Sequence, residues 1–169
     1  PEGVMRFHMT RRTLTPITAN NSASLFALDG DLRLVEFHSK ANALTDESME
    51  IVAAAAADHG KGIIIHNDAQ HFSAGVDLNA FRAYIEAEDW DGIDRFLDRF
   101  QKAVCALKYT PVPVIGAPSG LAAGGGYEVL AHCDRLVVHT NSVIGLVESG
   151  VGVVPGGGGI KDTFFRWHA

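Results

Sequence analysis

The chain has 169 residues, 47% of them hydrophobic and 20% charged, which suits one soluble globular domain with a sizeable core. A formal charge of -6 argues against non-specific binding to nucleic acid or to an anionic membrane surface. The apolar runs are only strand-length, no secretory pattern opens the sequence, and Cys105 and Cys133 have neither metal-site nor redox spacing, so a cytoplasmic enzyme with reduced thiols is expected.

Residues 1 to 24 carry Arg6, Arg11, Arg12 and then "TPITANNSAS" with no sustained period, and read as an arm or linker before a core domain of residues 25 to 169. "LFALDGDLRLVEFH" reads as a hairpin turning at Asp29-Gly30, a dipeptide suited to positive φ. Thr45 can cap a helix whose first turn holds Asp46 and Glu47 and which runs through the alanines 53–57 to about Gly60. "GIIIH" (62–66) is a strand buried on both faces.

Ile93, Phe96, Leu97, Phe100, Val104 and Leu107 fall at helical spacing, which predicts a helix over about 91–108. Val114 and Ile115 form a short buried strand. A helix follows over about 126 to 133, closed by Cys133-Asp134, and "RLVVHT" is the next strand. Strands alternating with helices predict an α/β fold of repeated β-β-α turns. The chain opens on Pro1 and stops soon after a glycine cluster, as a piece of a longer protein would.

Two stretches can offer backbone N–H groups to a ligand. In "HFSAGVDL" (71–78), Ala74-Gly75 lets the chain turn tightly, so that the Val76 amide faces either a cavity or an ordinary strand-to-helix turn. "GLAAGGGYE" (120–128) makes the same offer at a helix start, where the dipole favours negative charge. Phosphate motifs fail: G-x-G-x-x-G from Gly124 meets Val129, and Lys161 is flanked by Ile160 and Asp162. "GAPSG" places Ser119 one residue late for a hydrolase elbow. Two amides aimed at one spot make an oxyanion hole. Glu128 and Glu148 stand in apolar surroundings. Each is a solvated or salt-bridged glutamate, or the two face one cavity and share a water, with at least one pKa raised.

Taken together, "KANAL" (40–44), "HFSAGVDL", "GAPSGLAAGGGYEVLAHCD" and "GLVESGVGVVPGGGG" resemble the crotonase (enoyl-CoA hydratase/isomerase) superfamily over about residues 25 to 160. The resemblance implies the crotonase-type (ClpP-like) spiral of β-β-α turns, with C-terminal helices beyond this chain that cover the acyl pocket and help assemble trimers. It implies that the Val76 and Gly125 amides bind a thioester oxygen and that Glu128 and Glu148 are the two hydratase glutamates. Lys40, Ala41, Ala74, Gly75, Asp77, Leu78 and Gly124 would line a coenzyme A groove, Asp77 alternatively serving as an N-cap.

The long arm "TPITANNSASLFAL" and the wording of residues 62–104 are similar to the hydratase-type region of bacterial 3-hydroxyacyl-CoA dehydrogenases, multifunctional fatty-acid oxidation proteins, although no Rossmann fingerprint is visible here. The expected activity is enoyl-CoA hydration, with coenzyme A entering only as part of the substrate, no permanent cofactor, no metal, no nucleic-acid or membrane partner, and a trimer-based homo-oligomer. The alternatives are Δ3-Δ2 enoyl-CoA isomerisation on one glutamate, or a non-catalytic fragment that binds coenzyme A or provides an assembly surface. The histidines show no ligand spacing, although His71 and His132 adjoin the motifs. Phe81, Tyr84 and Trp90 either pack plainly or wall the acyl pocket, and "PGGGG" (155–159) reads as a site-lining loop.

Overall fold

The computed structural model describes residues 12 to 168, so Arg6, His8 and Arg11 of the expected arm lie outside the described residues. The sheet begins within that segment: β1 (Thr18–Ala19) pairs antiparallel with β2 (Ala23–Leu28). Strand β2 turns back into β3 (Leu32–Phe37) with Leu28 opposite Leu32. The positive-φ residues of this turn are Gly30 and Asp31, one position later than the Asp29-Gly30 expectation. Pairing fixes the reason, because the loop between Leu28 and Leu32 is three residues long and its last member must turn left-handed to restore the ladder.

Helix α1 (Asp46–Ala57) starts where the sequence predicts. Thr45 accepts from the Ser48 amide at 3.2 Å, and Ser48 Oγ accepts from the Thr45 amide at 3.2 Å, closing a reciprocal capping box. Strand β4 (Gly62–Ile65) lies parallel beside β3. Helices α2 (Leu78–Glu86) and α3 (Trp90–Lys108) follow. The apolar face of α3 buries Phe96, Phe100, Val104 and Leu107, and α1 packs on it, with Arg99 gripping Asp46 at 2.9 and 2.5 Å. Phe81 meets Phe96 edge-on at 5.1 Å and Tyr84 packs on the core, whereas Trp90 stays exposed.

The second half is built of two β-β-α turns. Strands β5 (Val114–Gly116) and β6 (Leu121–Ala123) lead into α4 (Gly125–Ala131). Strands β7 (Arg135–Leu136) and β8 (Val143–Gly145) lead through a 3-10 turn (Glu148–Val151) into α5 (Gly159–His168). Strand β5 extends the large sheet to the order β1-β2-β3-β4-β5-β7, and β6 pairs parallel with β8 in a second, two-stranded sheet. Each turn is thus offset by one strand from the last, which is the predicted spiral.

Two boundaries differ from expectation. "RLVVHT" gives only a two-residue strand, because Pro118 across from it has no N–H to donate. The chain nevertheless runs on alongside, Val137 donating to the Gly116 carbonyl at 2.8 Å and His139 to that of Pro118 at 3.1 Å. Helix α4 ends at Ala131 because the His132 ring, through Nδ1, takes the Glu128 carbonyl at 2.7 Å. The His132 amide then turns to Val129 instead. His132, not Cys133-Asp134, closes the helix, and Asp134 braces β5 by accepting from the Val114 amide at 2.7 Å.

Candidate active site

Strands β4 and β6 each hand the chain to a helix through a glycine turn, and the two turns run side by side. Ser73 donates to Leu121 O at 3.0 Å and accepts from the Ala123 amide at 3.1 Å. Further along, Leu44 donates to Gly75 O at 2.8 Å and accepts from the Asp77 amide at 2.9 Å, which steps over Val76. Among the described residues the Val76 amide therefore has no acceptor. Neither has that of Gly125, which opens α4, where the first N–H groups lack intrahelical partners. Gly75 at φ 98° and Gly124 at φ 52° make the two reversals that bring these amides together. A Cβ on Gly125 would stand 2.8 Å from Val76 Cγ2, so any larger residue there would have to displace the Val76 side chain.

Glu128 lies in the first turn of α4 and is only 2% exposed. Its Oε1 accepts from the amides of Gly157 and Gly159 at 2.8 and 2.9 Å. Burial holds this carboxyl above its ordinary range; the Gly159 and Gly157 N–H groups oppose the rise and the Glu148 charge adds to it. Glu148 is half-buried at the start of the 3-10 turn, where its Oε2 accepts from the Val147 amide at 2.8 Å. Its Oε1 would lie 3.0 Å from a Cβ on Gly124, so this carboxylate reaches the cap of the helix that carries Glu128.

Phe100 of α3 supports both halves. Its ring lies 3.5 Å from where a Gly125 Cβ would be, and it blocks any side chain on Gly157. Neither Phe100 nor the pairing of Gly157 and Gly159 with Glu128 is singled out by sequence reasoning. The available signal was a glycine cluster just ahead of a helix, which is a ready anion cradle.

The other predicted residues divide into two groups. Lys40, Ala41 and Asp77 line a cavity of about 290 Å³ with Ser39, Ala43, Thr45 and Asn79. Ala74, Gly75, Leu78 and Gly124 do not line it. Ala74 instead ties the two loops by donating to Ala41 O at 3.2 Å, Gly75 and Gly124 sit at the amide junction, and Leu78 is exposed at the start of α2. Asp77 is an N-cap, accepting from the Asn79 amide at 2.9 Å, and also faces the cavity. Ala41 and Asn42 turn left-handed, at φ 57° and 51°. Asn42 is held there by its side-chain bond to His71 O and by Ser73 Oγ on its own carbonyl, both at 2.8 Å. Among the described residues no cluster of His, Cys, Asp or Glu is placed to hold a metal, and no helix is long and apolar enough to cross a membrane.

This architecture is that of the crotonase-type α/β proteins. Residues 32–166 match the family model described as enoyl-CoA hydratase/isomerase, and the chain belongs to that family. A Bacillus subtilis (strain 168) protein named "Probable 3-hydroxyacyl-CoA dehydrogenase" is 33% identical over 170 residues, 98% of this chain and 22% of its own length. Another from the same organism, "Probable enoyl-CoA hydratase", is 31% identical over 83% of this chain and 55% of its own length. Among solved structures, an enoyl-CoA hydratase from Geobacillus kaustophilus HTA426 superposes with a TM-score of 0.77 at 26% identity, over 86% of this chain and 56% of that one. The chain spans less than two thirds of the length of each of these three.

Proposed function

We propose that this chain carries an enoyl-CoA hydratase site, adding water across a trans-2-enoyl-CoA to give a 3-hydroxyacyl-CoA in fatty-acid β-oxidation. We further propose that it works as part of a longer, cytoplasmic 3-hydroxyacyl-CoA dehydrogenase-type protein with a trimer-based assembly. The observation that carries the reading is the pair of acceptor-free amides, Val76 and Gly125, beside the buried Glu128 carboxyl and a Glu148 carboxylate that reaches the cap of the same helix.

In this mechanism the thioester carbonyl accepts from both amides. A water held by Glu128 and Glu148 adds its oxygen to C3 and gives its proton to one carboxylate. The C2–C3 π electrons move toward the carbonyl as an enolate-like state, and the other carboxyl delivers a proton to C2. Net, one water is consumed and no oxidant or metal takes part. The amides contribute most when charge on the oxygen is largest, in the transition state. The cavity lined by Lys40, Ala41 and Asp77 receives the coenzyme A portion, Lys40 offering a cation to its phosphates.

The test is hydration of a short trans-2-enoyl-CoA, followed by loss of the conjugated thioester absorbance. Glu128→Gln and Glu148→Gln are each expected to lower kcat by roughly 10²–10⁴, the range for a lost acid–base group. Full turnover in either variant would overturn the two-glutamate mechanism. Loss in Glu148→Gln alone would move the reading to Δ3-Δ2 isomerisation.

A further inference from the structure

One buried cluster of titratable side chains plays no part in the chemistry above. His132, four residues after Glu128, donates from Nδ1 to the Glu128 carbonyl at 2.7 Å, since a carbonyl only accepts. Its Nε2 lies 2.9 Å from Asp162 Oδ2, and both side chains are almost fully buried. Asp162 Oδ1 accepts from Lys108 Nζ at the end of α3, and Lys161 Nζ stands 3.6 Å from Oδ2. The Asp162 amide donates to Gly158 O at 3.0 Å. Gly158 itself, at φ 98°, lies against both groups: its Cβ would meet His132 Cε1 at 3.3 Å and Asp162 Oδ2 at 3.5 Å.

These contacts close a ring. It runs from the Glu128 carbonyl through His132 to Asp162 and Gly158, then through the neighbouring Gly157 and Gly159 amides back to the Glu128 carboxylate. We propose that His132 and Asp162 are positioning residues that hold the Gly157–Gly159 amides against Glu128 and so set the protonation of that carboxyl. The groups facing Glu128 are Glu148 and the two amides; those facing His132 are Asp162, Lys108 and Lys161. Burial lowers the His132 pKa against the raising pull of Asp162; in the neutral ring, with the proton on Nδ1, Nε2 is an acceptor facing the carboxylate, and neither Nε2 nor Asp162 Oδ2 has a hydrogen-bond partner among the described residues. An amide at position 162 would complete this contact, because it can donate to Nε2 and still accept from Lys108.

That chemistry defines the experiment. His132→Ala and Asp162→Ala break the ring, whereas Asp162→Asn keeps it. The Glu128 carboxyl is followed by ¹³C NMR against pH, assigned by its disappearance in Glu128→Gln, with hydrogen exchange at Gly157 and Gly159 beside it. In both alanine variants Glu128 is expected to titrate at higher pH than in wild type, and the two glycine amides to lose protection. In Asp162→Asn both readouts stay at wild-type values. The kinetic readout rests on the hydratase reading: kcat falls by about 10- to 100-fold in the alanine variants, with KM unchanged, as for a displaced catalytic group.

Alanine variants that fold and lower Tm but keep the wild-type Glu128 midpoint and glycine protection would overturn the proposal. If His132→Ala does not fold, the contrast between Asp162→Ala and Asp162→Asn decides. If neither alanine variant folds, loss of glycine protection in folded Asp162→Asn overturns it. Wild-type protein without hydration would sink the proposed activity alone, since the NMR titration needs no turnover.

Discussion

Gly75 faces the Gly125 amide so closely that a methyl group on Gly75 would stand 3.7 Å from the Gly125 nitrogen and 3.1 Å from the Ala123 carbonyl oxygen. The backbone there is at φ 98°, which L side chains rarely adopt. Gly75→Ala therefore strains the turn, presses on the Ala123 carbonyl and puts a methyl group in contact with one of the two acceptor-free amides. On the proposed hydratase reading, kcat/KM for enoyl-CoA hydration is expected to fall by about 10²–10³, the cost of losing one oxyanion-hole donor. A stability loss of about 1–3 kcal/mol should accompany it, read by urea denaturation.

Phe100 is wedged between the amide-bearing start of α4 and the glycine loop that binds Glu128. Phe100→Ala removes a fully buried ring and should cost about 3–5 kcal/mol. Phe100→Leu is the sharper probe: it keeps the core filled, yet it should lower kcat more than its small shift in Tm suggests, because both halves of the site lean on the ring. Proportionate losses in stability and kcat would argue that Phe100 serves only the core.

Glu128 also makes a stability prediction with a definite sign. Its folded pKa is raised, chiefly by burial, so the folded state binds the proton more tightly than the unfolded chain does. The stabilisation is fully present below the ordinary carboxylate range and is lost as pH rises through the raised folded value. Glu128→Gln should consequently raise Tm at neutral pH even as it lowers kcat on the proposed hydratase reading, and the gain should vanish toward pH 4. Differential scanning calorimetry across that interval checks it.

The two thiols should separate chemically. Cys133 is fully buried and its pKa is pushed up to about 12, first by burial, whereas Cys105 is half-buried. A thiolate-selective alkylating reagent should leave Cys133 unmodified in the native protein and label it only on unfolding. Mass spectrometry of labelled peptides would report native labelling of Cys133 directly.

Much of this organisation was legible in local sequence. Thr45 with Asp46 and Glu47 announces α1, and the spacing from Ile93 to Leu107 announces α3, because capping and helical periodicity act within one or two turns. The glycine motifs around Val76 and Gly125 were readable for the same reason: positive φ is a local demand. What stayed hidden depends on partners distant in the chain. The end of α4 is set by the His132 ring, the stop of β7 by Pro118 across the sheet, and the start of the sheet by β2 recruiting Thr18–Ala19. Glu128 could be suspected from its apolar neighbours, but its amide cradle could not, since Gly157 and Gly159 reach it only once α5 docks on α4.

The sheet order carries a kinetic consequence. Strands β3, β4, β5 and β7 are all parallel, so every pairing in the large sheet after the β2–β3 hairpin waits for an intervening stretch, usually a helix, to cross over. Parallel pairing of distant segments is slow, because loop-closure entropy is lost before any contact repays it. Val76 lies in the turn after β4 and Gly125 directly after β6, with α2 and α3 between them. A nascent chain that has folded only through the turn after β4 possesses one amide of the pair and nothing opposite it. The proposed hydration activity should therefore appear late in refolding, as one of the last signals to recover after helical circular dichroism has returned.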